Sequence, residues 1–249
     1  MKRVKISENL IGYQHEGKTD NSLGYNSYVF LNGKEALVLD TAYPEHLNHV
    51  IEDLKEEGIT ITKVLPSHYH PDHFEGLRLL DGVEIFGTHY SLETLNEFEL
   101  SEDEKNFFMP TTFIKEGEEV RFGDHTLKII IVQGHSDCSM FILINNQYLH
   151  IGDTYMTLNT GEHSLPYVAW DGVEKHMEAL KQLIKYDKHT IFLSHGSLCD
   201  SVENMMSGIQ DRIRYFESLL KSDNKVSVDE ALLGTQNTFI NHSWREYVK

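Results

Sequence analysis

Cysteine is scarce in this chain: Cys138 and Cys199 are the only two among 249 residues. Two thiols permit one bridge at most. That excludes a disulfide framework and makes a reducing compartment the expected setting. Positive charge is scarce too. Lysine and arginine number 22 against 39 aspartates and glutamates, a formal charge of -17. Gripping a phosphate backbone takes the opposite balance, so no nucleic-acid partner is expected. Small anionic substrates stay open, because bound divalent metals would reverse the field locally. No apolar run is long enough to span a bilayer, so no membrane partner is expected. Met1 to Asn9 carry positive charge with no apolar stretch behind them, unlike a secretory signal. A cytoplasmic protein is therefore expected. Internal repeats, low-complexity segments and linkers are lacking as well, which points to a single domain over residues 1–249. No Gly-x-Ser-x-Gly elbow is present to carry a nucleophilic serine. Oligomeric state leaves no mark in the pattern.

What remains fits a globular chain: 40% of the residues are hydrophobic and 24% charged. Residues 25–31 read as a strand, Asn32-Gly33 as a hairpin turn, and residues 35–39 as the returning strand, ending at Asp40. Pro44 to Glu57 reads as a helix stopped by Gly58. Residues 61–65 read as a strand ended by Pro66. Strand, helix, strand is a crossover unit, so these two strands are expected to run parallel. A short helix at 76–80 and a strand at 83–87 follow. The helical pieces over 91–108 read either as an entrance wall or lid, or as a surface helix pair. Two hairpins come next, at 118–132 around Gly123-Asp124 and at 139–151 around Asn145-Asn146. A helix at 173–186, a strand at 190–193 and a longer helix at about 202–221 complete the regular pattern. Beyond them lie a polar stretch at 222–229, a short helix, and an aromatic terminus around Trp244 and Tyr247.

The densest chemistry lies in Ser67-His68-Tyr69-His70-Pro71-Asp72-His73. Four metal-capable side chains fall within six residues, on the loop leaving a strand, where open α/β sheets place their ligand sites. A tight loop can turn several side chains to one point, whereas a straight strand sends alternate residues to opposite faces. His68 and His70 can share one cation, and Asp72 and His73 can reach a second beside it. Three further residues each follow an apolar strand and sit beside a glycine. They are His135 in Gly134-His135-Ser136, Asp153 in Gly152-Asp153-Thr154, and His195 in Ser194-His195-Gly196. Glycine there lets the backbone turn sharply and approach a neighbour closely. Singly, each would be an ordinary loop residue. Arriving jointly, they read with the first cluster as metal ligands.

These segments resemble those of the metallo-β-lactamase-fold hydrolases, the glyoxalase II and lactonase-like enzymes among them. The His-x-His-x-Asp-His box at 68–73 matches in full. Gly134-His135-Ser136, Gly152-Asp153-Thr154 and Ser194-His195-Gly196 are similar to the later elements of the family, in order, over about residues 25–197. The resemblance implies an α/β (α+β) chain folded as a four-layer αββα sandwich, with two mixed sheets face to face, helices outside and metals at one edge. It implies that His68, His70 and His135 hold the first of two divalent metal ions. Asp72, His73 and His195 would hold the second, and Asp153 would bridge both. Asp40 is similar to an early aspartate that the family keeps beside the site. Zinc is the expected metal, and iron or manganese also suits this donor set. Gln133 stands where many thioesterase relatives have proline. Basic residues that would grip a glutathione or coenzyme A tail are not evident near the motifs. Tyr155 lies near the place of a tyrosine that lactonase relatives carry shortly after the bridging aspartate.

Two cations bridged by a carboxylate can bring the pKa of a water toward neutrality and direct hydroxide at a carbonyl or phosphorus centre. Asp72 is the candidate to orient that water or take its proton. Tyr155 is the candidate to donate a hydrogen bond to an ester or lactone oxygen. The leading expectation is a metal-dependent hydrolase of a small ester-like substrate: a thioester, a lactone or a related acyl compound. The alternatives are a small-molecule phosphodiesterase of the same fold, an iron-dependent redox enzyme, and a metal-binding protein without turnover. Oxygen- and nitric-oxide-reducing relatives replace the second histidine of the box with glutamate and use a flavin domain. Here His70 stands and no flavin module is attached. Single-iron relatives do not use the complete second site that this chain carries. β-Lactam hydrolysis is disfavoured, since such enzymes are usually exported. Tyr155, Tyr167 and Trp170, with Pro166, read either as pocket lining or as loop packing. His150 and His163 fit no ligand slot. His15, His46, His49, His125, His176, His189 and His242 read as surface or packing residues, and His89 at most as part of a rim.

Overall fold

The computed structural model describes residues 1–19 and 22–248. The first half runs β1 (Lys2–Ser7), β2 (Leu10–His15), β3 (Tyr25–Asn32), β4 (Glu35–Leu39), α1 (Pro44–Glu56), β5 (Thr60–Leu65), α2 (Pro71–Phe74), β6 (Glu84–Gly87), α3 (Ser91–Leu95), α4 (Glu102–Phe108) and β7 (Thr112–Phe113). The second half runs β8 (Glu119–Phe122), β9 (His125–Ile131), β10 (Met140–Ile144), β11 (Tyr148–His150), β12 (His163–Ser164), α5 (Val173–Leu183), β13 (Thr190–Phe192), β14 (Cys199–Ser201), α6 (Val202–Lys221), α7 (Val228–Ala231) and β15 (Phe239–Ile240).

Strands β1 to β7 form one sheet in chain order, and β14-β13-β11-β10-β9-β8 form the second. Both sheets are mixed. In the first, β1 to β4 pair antiparallel and β4 to β7 parallel. In the second, only the β11–β13 pairing is parallel. The expected crossover through α1 is present, with Leu39 beside Leu65 in the parallel register.

Alternation along each strand explains the layering. In β3, Tyr28 and Phe30 face the second sheet and share a core with Leu39, Leu65, Ile129 and Ile142. Val29, between them, faces the other way and packs with Val38 and Val64 under Leu47, Val50 and Leu54 of α1. On the far side, α5 and α6 cover the second sheet through Leu180, Leu183, Ile209 and Phe216, against Phe141, Leu149 and Ile191. Helix, sheet, sheet, helix is the order of layers, and the fold is the αββα sandwich.

Three local readings change. The first hairpin turns one residue later than expected: Asn32 pairs with Glu35, so Gly33 and Lys34 form the turn. The left-handed position, at φ +62°, thereby falls on Gly33, which has no Cβ to clash. Residues 71–74, expected in a loop, form a helical turn. Pro71 begins it, where its fixed φ and missing N–H cost nothing. Strands β1 and β2 were not anticipated, because β1 is an edge strand whose Lys2, Arg3 and Lys5 hide the apolar alternation.

Candidate metal centre

Strands β4, β5, β9, β11 and β13 all end at one edge of the sandwich. The segments that leave them carry Asp40, residues 67–73, His135, Asp153 and His195 in turn. There the ligand candidates fall into two adjoining groups, His68 with His70 and His135, and Asp72 with His73, Asp153 and His195. Within each group the donor atoms lie within 4.8 Å of one another. In the first group, His135 Nε2 is 3.1 Å from His68 Nε2 and 2.9 Å from His70 Nδ1. Nitrogens about 2.05 Å from a tetrahedral ion are separated by roughly 3.3 Å, so the spacing suits a small divalent cation. In the second group, His73 Nε2 and His195 Nε2 lie 3.4 and 3.2 Å from Asp153 Oδ1. His195 Nε2 is also 3.4 Å from Asp72 Oδ2. The other oxygen of Asp153, Oδ2, is 3.5 Å from His135 Nε2 and 4.0 Å from His68 Nε2. One carboxylate therefore presents an oxygen to each group.

The fit to a cation can be tested on unpaired atoms. His73 Nε2, His195 Nε2 and Asp153 Oδ1 are buried and have no hydrogen-bond partner. Buried polar atoms are rarely left so, and a divalent ion among them would satisfy all three. The far sides of the rings prepare them for it. His135 Nδ1 donates to the Tyr167 carbonyl at 2.8 Å, and His195 Nδ1 to the Gly24 carbonyl at 2.7 Å. His73 Nδ1 lies 2.9 Å from Asp40 Oδ2. A donated Nδ1–H fixes the tautomer and leaves the Nε2 lone pair facing the site.

Protonation follows burial and field. Burial, reinforced by His70, lowers His135 to about 3, and burial lowers His70 to about 4. Burial and the nearby His73 hold His68 well below the usual imidazole value. The first trio is thus neutral, the form that can ligate. In the second group, burial lowers His73 and His195, but the Asp153 carboxylate outweighs it and both are raised. This pocket attracts positive charge.

Asp40 braces the arrangement. It is fully buried at φ +58°, a left-handed position that aspartate tolerates better than bulkier residues. Its carboxylate accepts from Ser67 N (2.6 Å), Ser67 Oγ (2.9 Å) and Ser194 Oγ (3.0 Å), besides facing His73. It thereby links the segments after β4, β5 and β13. Burial alone would raise this carboxyl, yet the charge and hydrogen bond of His73 hold it below the ordinary value. His150, buried behind the site, stands 3.5 Å from Asp40 Oδ2 and 3.3 Å from Ser194 Oγ.

Tyr155 stands apart from the two groups of donors and does not line the cleft above them. Its ring is buried, its hydroxyl is 3.2 Å from His163 Nδ1, and the Arg212 guanidinium lies over its face at 4.0 Å. A cleft of about 340 Å³ opens over the centre. Its floor holds His70, Asp72, His135 and Asp153, and its walls include Phe98, Tyr167 and Trp244. Residues 91–108 do supply wall, through Glu97 and Phe98. Trp170 packs against the core instead, and His89 stacks on Phe113.

The chain belongs to the metallo-beta-lactamase superfamily, whose family model matches residues 21–195. It is similar to a hydroxyacylglutathione hydrolase from Prochlorococcus marinus, 26% identical over 175 residues, or 68% of this chain and 63% of that protein. It is also similar to an atrochrysone carboxyl ACP thioesterase from Passalora fulva, 24% identical over 199 residues, or 77% of this chain and 53% of that one. The chain therefore spans less than two thirds of the length of these relatives. Among solved structures, a beta-lactamase domain protein from Burkholderia ambifaria superposes with a TM-score of 0.73 at 14% identity, covering 98% of this chain and 84% of that one. At that identity the likeness establishes the fold alone.

Proposed function

We propose that the protein is a hydrolase of a small ester-like acyl compound, a thioester or lactone in class, and that it works with two divalent metal ions, zinc foremost. The observation that carries this reading is Asp153, with one oxygen toward each group of donors. His68, His70 and His135 would hold one ion, Asp72, His73 and His195 the other, and Asp153 both. The pair would supply a hydroxide nucleophile near neutral pH and polarise the carbonyl under attack. The chain's own residues do the rest. Asp72 has a side chain 22% exposed and lines the cleft, so its carboxylate can orient a water and take its proton. His150 and Asp40 hold the ligands from behind. Tyr155 has no part in this reading, since its hydroxyl is committed to His163.

Two similar proteins bear the names of a hydroxyacylglutathione hydrolase and an ACP thioesterase, which supports acyl transfer to water. A cytoplasmic setting belongs to the proposal and agrees with two free thiols, Cys138 buried and Cys199 exposed. Among the described residues no helix is long and apolar enough to cross a membrane. The test is a metal analysis of the purified protein together with a panel of thioesters, lactones and phosphodiesters. Turnover of the acyl compounds by protein carrying about two ions per chain is expected. Activity found only with iron and oxygen, or only on phosphodiesters, would overturn the proposal.

A further inference from the structure

Four of the ligand candidates, His70, Asp72, His135 and Asp153, form the floor of the cleft, while its walls come from segments that no motif marks. Phe98 stands edge-on to His70, with ring centres 5.7 Å apart. Tyr167 is 6.3 Å from His70 and packs on Trp244 at 5.7 Å and Tyr247 at 4.4 Å. The segment His242–Tyr247, at the far end of the chain, is thus brought over the centre. Met156 and Leu23 add apolar surface, and Glu97 is the one charged side chain on the walls. No lysine or arginine lines the cleft among the described residues. Glu97 also has no ion-pair partner among them, and burial, with Asp137 and Asp171 nearby, pushes its carboxyl up. Away from the metal-binding floor, the walls offer the anionic tail of an acyl carrier no lysine or arginine among the described residues, and the acidic group it would meet there is Glu97.

Resting on the hydrolase reading above, we infer that the cleft selects neutral esters, thioesters or lactones with an apolar acyl chain. Trp244 is the wall along which that chain lies, and Glu97 turns away carriers with anionic tails. Each methylene buried against the wall should raise kcat/KM about fourfold until the cleft is filled. The volume lies at the lower end of the roughly 300–1,000 Å³ typical of small-molecule sites. A medium-length chain is therefore the expected occupant.

The experiment uses the metal-loaded full chain and acetyl to decanoyl thioesters on two carriers, neutral N-acetylcysteamine and anionic coenzyme A. The neutral carrier should be preferred by about tenfold, and kcat/KM should rise with chain length. Trp244→Ala should cut the decanoyl-to-acetyl ratio by about tenfold, chiefly through KM. Glu97→Gln should raise the coenzyme A-to-neutral ratio about threefold. In a Trp170→Phe background Trp244 is the sole indole, so 2-undecanone should quench its fluorescence and acetone should not. A flat chain-length profile would overturn the inference. So would a Trp244→Ala variant that scales all lengths alike, or a preference for coenzyme A. If no ester turns over, the hydrolase reading falls, and the fluorescence arm still decides whether an apolar chain meets Trp244.

Discussion

Asp153 is the residue on which the two groups of imidazoles depend, because its oxygens face different sets of nitrogens. Replacing it with alanine should lower metal content at both sites together, measured by elemental analysis after gel filtration. Full retention in that variant would remove the bridging role. Asp40 acts one step further out. Asp40→Asn keeps the size but removes the charge that faces His73, and should weaken metal affinity by about 10–100-fold, read by chelator competition. At this scale the sequence was most informative about His68, His70, Asp72, His73, His135, Asp153 and His195. Four of them crowd into one short segment and the other three sit beside a glycine past a strand end, and the structure gathers all seven at one edge. It was least informative about Tyr155. Position along the chain after Asp153 does not fix the direction of a side chain, and here the ring turns to α6, where Gly208 leaves room for its hydroxyl. Trp244 was equally illegible as a wall, since only tertiary folding carries the chain's last turn back to the cleft.

Elements, more than single side chains, set the precision of the centre. The loop that bears His135 passes so close to α5 that a Cβ on Gly134 would lie 2.3 Å from the backbone nitrogen of His176. Gly134 also has φ +137°, where other residues are strained. Gly134→Ala should therefore cost about 2–4 kcal/mol in denaturant unfolding and loosen metal held by His135. An unchanged midpoint would mean that the loop has slack. Apolar runs bounded by turn residues revealed β3, β4 and β5, which pack into cores on both faces, and period-3.6 patterns revealed α1, α5 and α6, each of which buries one stripe. Strands β12 and β15 are two residues long, too short to show any period, yet their pairing fastens the C-terminal segment to the wall.

The whole molecule responds to acid through histidines outside the centre. Burial, with the charges of His46 and His49 adding to it, lowers His15 to about 3. Its folded pKa lies below its unfolded value, so the native state binds fewer protons between them. The stability this confers is full above about pH 6.5 and is lost as pH falls toward 3. Unfolding free energies from urea titrations should drop between pH 7 and pH 5, by up to about 1.4 kcal/mol per pH unit for this one group. A His15→Leu variant should show a shallower slope, and an identical slope would exclude His15 as a source. Chelation acts on the same scale. Ions held only by the folded chain add to its stability, so removing them should lower the melting temperature, and adding zinc back should restore it.

Tyr167 grips the ring of His135 through its backbone carbonyl and leans on Trp244 and Tyr247 through its side chain. Choosiness about cargo and tenacity toward the ion are thus two handles on one lever. An engineer who reshapes the tail to admit bulkier cargo should find the ion's dissociation rate drifting as well, and would have to select for both properties at once.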